Sequence, residues 1–383
     1  MTDHVLDRAH LAEAVGNDIA DMAHFWMLRK FQFLEPAREQ FEIIVDPWLS
    51  YRTEPSQNEI MAYNMAFTDW LLFERPYRHG KTLLELYVDE PPASLSPASL
   101  KRLEQVRDLY ARGADVIKLF VTGGVFDATE VGEPGVLRMP VEVAAAACKA
   151  AHDMGLPVMA HVESTEGVKV ALEAGVDTIE HGAPLTSEIL ELYRGAAGTQ
   201  LEGRAPSVTC TISPALPFVL LDPEKTHSTD TQKKNGDIVC SGIIESARAA
   251  LEAGVKVGLG TDSSCPFVTQ YDMWREMAYF AKYVGVSNAF ALHTATQVNA
   301  ELLGLGGETG TIECGKAADI LVTRKNPLDD LCALREPAYV MCRGDLVRKL
   351  KVKRLPEVDA ELDTIMAMPS EALAEELARD GVA

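Results

Sequence analysis

The chain has 383 residues, 47% of them apolar, and its 36 basic and 57 acidic side chains give a formal net charge of −21. So acidic a chain argues against binding to nucleic acid, whose phosphates would repel it. No run approaches the ~20 apolar residues that cross a bilayer, and the first residues lack the basic start and apolar core of a signal peptide. We therefore expect a globular protein with neither nucleic acid nor membrane among its partners.

The cysteines bear on the cellular compartment. They are odd in number and scattered, and none forms a Cys-x-x-Cys pair. Extracellular scaffolds instead carry even sets that close disulfides. The pattern favours a reducing compartment, and we expect a cytoplasmic protein.

Strand and helix patterns alternate along most of the chain. The first predicted elements are a helix at 6–30, a strand at 41–46, a helix at 58–73 and a strand at 82–88. Five further strands follow, at 115–120, 156–161, 176–181, 207–211 and 255–261, with helices at 141–154, 165–173, 187–193 and 243–253. Glycines 155, 175 and 254 each stand between a helix and the next strand, where a left-handed residue closes the helix.

Apolar strands that alternate with amphipathic helices indicate a parallel sheet covered on both faces. Seven strands are predicted, one fewer than the eight of a TIM-type barrel. The remaining strand would have to fall within residues 1–5, which is a short stretch for it. The predicted fold class is α/β, a (β/α)8 TIM-like barrel whose first strand is the least defined.

The region after the last barrel strand changes character. Helices are predicted at 271–283 and 288–303, and a turn-rich segment then holds short strands at 319–323 and 339–342. A helical stretch at 358–379 should be interrupted at Pro369. We predict a barrel over 1–305, a small and incomplete β-sandwich appendage over 306–350, and a helical tail over 351–383.

Four polar residues lie at or just after predicted strand ends, the face where barrel enzymes place their reacting groups. They are Lys118, His161, His181 and Asp262. Successive intervals of 43, 20 and 81 residues correspond to one, one and two βα units of roughly 30 residues, which places them on strands four, five, six and eight. Two imidazoles and a carboxylate suit Zn²⁺, and a lysine could join them if CO₂ carboxylated its amine.

Other interpretations of these residues remain open. Lys118 could pair with a loop carboxylate or form a Schiff base with a carbonyl substrate. Each histidine alone could be structural, and Asp262 could cap a helix. The loops at 122–138 and 211–237 are long enough to shape a pocket, Cys265 should line it, and Arg138 is a candidate for binding a substrate carboxylate.

Several segments together resemble the amidohydrolase superfamily, most closely its imidazolonepropionase-like and metal-dependent dipeptidase branch. They are Val116-Ile117-Lys118, Ala160-His161, Ile179-Glu180-His181-Gly182, Gly260-Thr261-Asp262, His293-Thr294-Ala295-Thr296 and Gly310-Thr311-Ile312 through Gly315-Lys316-Ala317-Ala318-Asp319-Ile320. The resemblance implies a carboxylated Lys118, one or two Zn²⁺ held with His161 and His181, and an Asp262 that binds metal and acts as general base toward water.

The sequence also departs from that family. The family begins with a β-segment and a first strand ending in His-x-His, whereas no two of the nine histidines here are one residue apart. His4 is the only histidine near the expected place, and the segment Ala160-His161-Val162-Glu163 lacks the further histidine often found just after this position in relatives.

The function expected is a metal-dependent hydrolase that cleaves a C–N bond in a small amide, cyclic amide, acyl-amino acid or dipeptide, in a homo-oligomer. The alternative is an N-terminally truncated, catalytically impaired homologue that serves as a binding or subunit protein. A third reading is a metal-free lyase with Lys118 as its amine nucleophile.

Overall fold

The computed structural model describes residues 97–383 apart from 127, 196–200, 202, 264, 349, 351 and 383, with the backbone alone for 97–100. The predicted elements at 6–30, 41–46, 58–73 and 82–88 lie outside the described residues, as does His4. The chain divides into a unit Met1–Ala114 and a unit Asp115–Ala383. In the first unit the described structure is helix α1 (Pro97–Ala111).

A five-stranded parallel sheet forms the centre of the second unit. Its strands are β1 (Ile117–Phe120), β2 (Val158–Val162), β3 (Thr178–His181), β4 (Ser207–Cys210) and β5 (Val257–Leu259), and they lie side by side in chain order. The five strands predicted between 115 and 261 are thereby confirmed, each shorter than expected. A parallel, sequentially ordered sheet confirms the α/β class.

The register of the sheet aligns the residues of interest. Phe120 on β1 pairs with His161 on β2, and Val162 pairs with His181 on β3. Val158, Ala160 and Val162 of β2 are fully buried, which accounts for its apolar sequence. The sheet therefore holds the two histidines on adjacent strands.

Helices connect these strands. They are α2 (Val141–Asp153), α3 (Thr165–Glu173), α4 (Ser187–Tyr193), α5 (Leu216–Leu220), α6 (Pro223–Thr226) and α7 (Asp230–Glu252). The predicted helices at 165–173 and 187–193 are confirmed residue for residue. Gly155, Gly175 and Gly254 have φ values of 75°, 95° and 75°. This confirms the left-handed conformation predicted for the glycines that close a helix before the next strand.

Helix α7 corrects one prediction. The sequence indicated a helix at 243–253 preceded by a loop, but α7 begins at Asp230. A capping box starts it, because the Thr229 side chain accepts from the Gln232 backbone and the Gln232 side chain accepts from that of Thr229. The polar residues 230–238 obscured the helical period, so the segment 211–237 holds short helices and one helical end in addition to loop.

The remaining elements follow β5 along the chain and include a second, smaller sheet. They are helices α8 (Met273–Tyr279), α9 (Asn288–His293) and α10 (Asn299–Leu302), strands β6 (Ile320–Val322), β7 (Tyr339–Cys342) and β8 (Asp345–Leu346), and helices α11 (Pro356–Ala367) and α12 (Glu371–Arg379). π-helical turns at Phe280–Val284 and Thr294–Val298 interrupt the two helices predicted after the barrel. The predicted break at Pro369 is confirmed, and the small sheet is antiparallel. The boundaries proposed at 305 and 350 stay predictions.

None of the described helices is both long enough and apolar enough to traverse a lipid bilayer. All seven cysteines lie in the described part of the chain, and each is a free thiol. A cytoplasmic location stays a prediction.

Candidate metal centre

A cavity of about 250 Å³ lies at the carboxyl ends of the parallel strands. Lys118, His161, His181 and Asp262 all line it. Lys118 comes from β1, His161 from β2 and His181 from the end of β3, while Asp262 follows β5. One strand, β4, separates the strands that carry His181 and Asp262, as the double interval between them predicted. The sheet therefore brings four distant side chains to one cavity.

The two imidazoles face each other, with ring centroids 4.6 Å apart. Nε2 of His161 lies 2.7 Å from the Gly123 carbonyl oxygen, and because a carbonyl only accepts, the proton is on Nε2 and the lone pair on Nδ1. Nδ1 of His181 lies 2.7 Å from the Thr211 hydroxyl, which can accept a hydrogen bond from an Nδ1–H and leave the lone pair on Nε2. Fixing one ring nitrogen in this way orients the other for a metal.

Two of the cavity residues have an unusual backbone conformation. His181 has φ 71° and Asp262 has φ 51°, in the left-handed region that non-glycine residues seldom occupy. Such conformations cost of order 1–3 kcal/mol and concentrate at functional sites. The strain at both positions distinguishes them from the other residues that line the cavity.

The surroundings also tune the charges of the cavity. Burial, together with His161 and Lys118, holds the pKa of His181 well below its usual value, so that its imidazole stays neutral. Partial removal of water lowers the pKa of Lys118, although the Glu180 and Asp262 carboxylates raise it in part. Both shifts favour the unprotonated nitrogens.

Glu163 is a cavity residue that sequence reasoning missed. Its carboxylate, His161 and His181 offer three ligand atoms that all lie within 4.8 Å of one another. Burial and the Asp262 carboxylate raise the pKa of Glu163 to about 8. The signal was present in the sequence, because residues 161 and 163 of an extended chain lie on the same face.

Most of the remaining cavity wall is apolar. Phe120 stacks on His161 with ring centroids 4.9 Å apart, and Phe126 contacts Phe218 edge to face. The other apolar wall residues are Val125, Pro214, Ala215, Val239 and Ile243. Both segments expected to shape the pocket, 122–138 and 211–237, contribute to it.

Two more predicted residues have defined positions. Cys265 lines the cavity as expected, and its Sγ lies 3.3 Å from Oδ2 of Asp262. Arg138 is not among the residues lining the cavity; its guanidinium pairs with Glu133 at 2.7 Å. Its contact with a substrate carboxylate stays a prediction.

A buried carboxylate on α8 fixes the segment that follows β4. Glu276 is fully buried and accepts from the backbone N–H groups of Ile212 and Ser213 at 2.7 and 2.8 Å, and from the Ser213 hydroxyl. This segment carries Thr211, the partner of His181, and leads into the cavity wall. Burial raises the pKa of Glu276 to about 7, although its three donors lower it in part.

We expect Glu276→Gln to remove a pH dependence of stability. Between pH ~4.5 and ~7 the folded protein holds this proton more tightly than the unfolded chain, so the free energy of unfolding falls as pH rises. Relative to that of the variant, the free energy of unfolding of the wild type should fall by about 3 kcal/mol as the pH rises through this window. Denaturant unfolding of both proteins at closely spaced pH values measures the difference, and a constant offset between them would contradict the assignment.

Comparison with known proteins places the chain in a family. The model of the amidohydrolase family matches residues 69–347. Among curated proteins, the chain is 26% identical over 238 residues to ochratoxinase from Aspergillus niger, covering 61% of this chain and 46% of that protein. It is 28% identical over 176 residues to imidazolonepropionase from Chloroflexus aggregans, covering 45% and 34%.

A solved structure assigned as a prolidase from Bifidobacterium longum is also similar. It superposes with a TM-score of 0.65 at 42% identity, covering 72% of this chain and 66% of that one. The chain spans less than half the length of the curated relatives it matches. Because the family model covers most of the sequence and the similar structure has the same TIM-type fold, this chain is a member of the amidohydrolase family.

Proposed function

We propose that this protein is a metal-dependent hydrolase that cleaves the C–N bond of an amide, a cyclic amide, an acyl-amino acid or a dipeptide. The observation that carries the proposal is the cavity shared by Lys118, His161, His181 and Asp262. The relatives named ochratoxinase, imidazolonepropionase and prolidase are hydrolases of carbon–nitrogen bonds, which supports the same reaction class.

The donor set fits a divalent cation. Imidazole nitrogens and carboxylate oxygens are ligands that Zn²⁺ accepts at ~2.0–2.2 Å, so two donors on one ion lie up to ~4 Å apart. The donors of His161, Glu163 and His181 are grouped within 4.8 Å, close to that size. His161 and His181 would hold the ion, with Asp262 and Lys118 on the same cavity wall, and one or two Zn²⁺ would be bound.

The cation and Asp262 have separate tasks in the reaction. A bound divalent cation lowers the pKa of water to around 7 and polarises a carbonyl. The Asp262 carboxylate takes a proton from water as the water oxygen bonds to the carbonyl carbon. It then returns that proton to the nitrogen as the C–N bond breaks, which yields a carboxylic acid and an amine.

Lys118 would take part as a carbamate. Its amine faces the cavity, and the depressed pKa leaves more of it unprotonated. The neutral nitrogen can attack CO₂, form an N–C bond and release one proton, which converts a neutral amine into an anionic oxygen donor. The carbamate would place a negative charge beside the two imidazoles.

The apolar wall would select and shield the substrate. Phe126, Phe218 and Val239 would contact an apolar group next to the scissile bond and exclude water from around it. A substrate with a bulky apolar or aromatic substituent there should therefore be preferred over one with a charged substituent.

Metal analysis and a substrate panel test the proposal together. The purified protein should contain one or two Zn²⁺ and hydrolyse members of a panel of Xaa-Pro dipeptides, N-acyl amino acids and lactams. A chelator should abolish the turnover, and added Zn²⁺ should restore it. Metal-loaded protein that binds panel members without turnover would support the non-catalytic alternative. Metal-free protein trapped by borohydride at Lys118 would support the lyase.

A further inference from the structure

We propose that Glu163 is a protein ligand of the cation in this cavity and forms a three-donor set with His161 and His181. The inference rests on the proposed metal dependence and adds a residue to the four predicted from the sequence. The experiment below separates a failure of the added ligand from a failure of the metal site itself.

The position of Glu163 follows from strand geometry. Side chains alternate between the two faces of a strand, so residues 161 and 163 share a face. Val162 between them is fully buried on the opposite face. The Glu163 backbone N–H donates to the Thr122 hydroxyl at 3.0 Å, which fixes the chain just after β2. Glu163 therefore projects beside His161 into the cavity.

One oxygen of the Glu163 carboxylate lacks a hydrogen-bond partner within the described structure. The Glu163 side chain is 8% exposed, and its Oε2 is buried without a hydrogen-bond donor among the described residues. Oε2 of Glu163 lies 3.9 Å from Nε2 of His161, but the proton on that nitrogen is directed to the Gly123 carbonyl. A buried carboxylate without compensation is costly, and a cation removes that cost.

The charges around Glu163 also favour a bound cation. In the described part of the chain, no lysine or arginine forms an ion pair with Glu163, and the Asp262 carboxylate lines the same cavity. Two ionised carboxylates in one cavity repel each other, and a divalent cation relieves this repulsion. Two nitrogens and carboxylate oxygens form a donor set typical of Zn²⁺ and similar ions.

Zinc binding to purified protein tests the inference without using activity. The metal is removed by chelation, and Zn²⁺ affinity and stoichiometry are then measured by equilibrium dialysis with elemental analysis. Glu163→Gln, which keeps the size of the side chain and removes its charge, should weaken binding at least ~100-fold, more than the loss of an outer partner. Glu166→Gln alters an exposed carboxylate three residues along and should bind Zn²⁺ as the wild type does.

Stability and spectroscopy distinguish a ligand from a nearby charge. Without metal, Glu163→Gln should unfold at a temperature no lower than the wild type, because it loses an unsatisfied buried acid. Added Zn²⁺ should raise the unfolding temperature of the wild type and of Glu166→Gln much more than that of Glu163→Gln. With Co²⁺ at saturation, the visible absorption bands of Glu163→Gln should differ from those of the wild type, since a ligand has changed.

Three results would overturn the inference. If Glu163→Gln bound Zn²⁺ with wild-type affinity, Glu163 would not be a ligand, and the proposed function would be unaffected. Weaker binding with an unchanged Co²⁺ spectrum would reduce Glu163 to a nearby charge or a proton donor. A folded wild type that binds no cation would overturn both this inference and the metal dependence on which it rests.

Discussion

Replacing Asp262 by Asn should lower kcat by ~10³-fold, within the range that loss of a general acid–base residue produces. The amide nitrogen of Asn cannot take a proton from water, so both proton transfers are lost. The fold should persist, because Asn tolerates the left-handed backbone conformation as well as Asp does, and residue 262 has φ 51°. Steady-state hydrolysis at saturating Zn²⁺ measures the effect.

The neighbouring Cys265 provides a matched control for Asp262. Its Sγ lies 3.3 Å from Oδ2 of Asp262, so Cys265→Ala disturbs the same part of the cavity without removing a proton acceptor. We expect this variant to retain kcat within a few-fold. Equal losses in the two variants would indicate local distortion, and near-wild-type activity in Asp262→Asn would exclude Asp262 as the base.

The sequence was sufficient to predict a helix or a strand wherever a single hydrophobic period dominated the segment. Helix 165–173 was predicted residue for residue because its apolar stripe and its Ser164 cap agree. In α7 the first turns are polar and conceal the helical period, so the sequence prediction began too late. The capping box at Thr229 determines where the helix begins. Closure of the barrel stays a prediction, since the strands expected at 41–46 and 82–88 lie outside the described residues.

The candidate site was predicted to the extent that it lies at the ends of strands. The sequence intervals between Lys118, His161, His181 and Asp262 were enough to predict that these residues lie at neighbouring strand ends, and the structure shows that they line one cavity. Glu163 was missed because a carboxylate just past a strand is usually a solvated loop residue, and the alternation that places it on the face of His161 does not show that it is buried. The strained φ values of His181 and Asp262 are likewise a tertiary property that composition does not encode.

Lys118 separates the proposed chemistry from its alternatives because a carbamate, an ion pair and a Schiff base respond differently to substitution. Lys118→Ala removes all three and should reduce hydrolysis by ~10³-fold, about the several kcal/mol that charge stabilisation by metal supplies. Bound Zn²⁺ should fall in the same variant. Lys256→Ala, which removes a surface lysine paired with Glu301 at 2.8 Å, should change neither quantity.

Arginine at position 118 tests the carbamate specifically. A guanidinium stays charged at every accessible pH, so it can replace an ammonium opposite Glu180 and Asp262 but cannot react with CO₂. Under the carbamate hypothesis Lys118→Arg is as inactive as Lys118→Ala, and ¹³C-labelled bicarbonate gives the wild type a carbamate carbon resonance that both variants lack. Wild-type activity and metal content in Lys118→Arg would instead assign Lys118 to an ion pair, because its positive charge would then be all that the site requires.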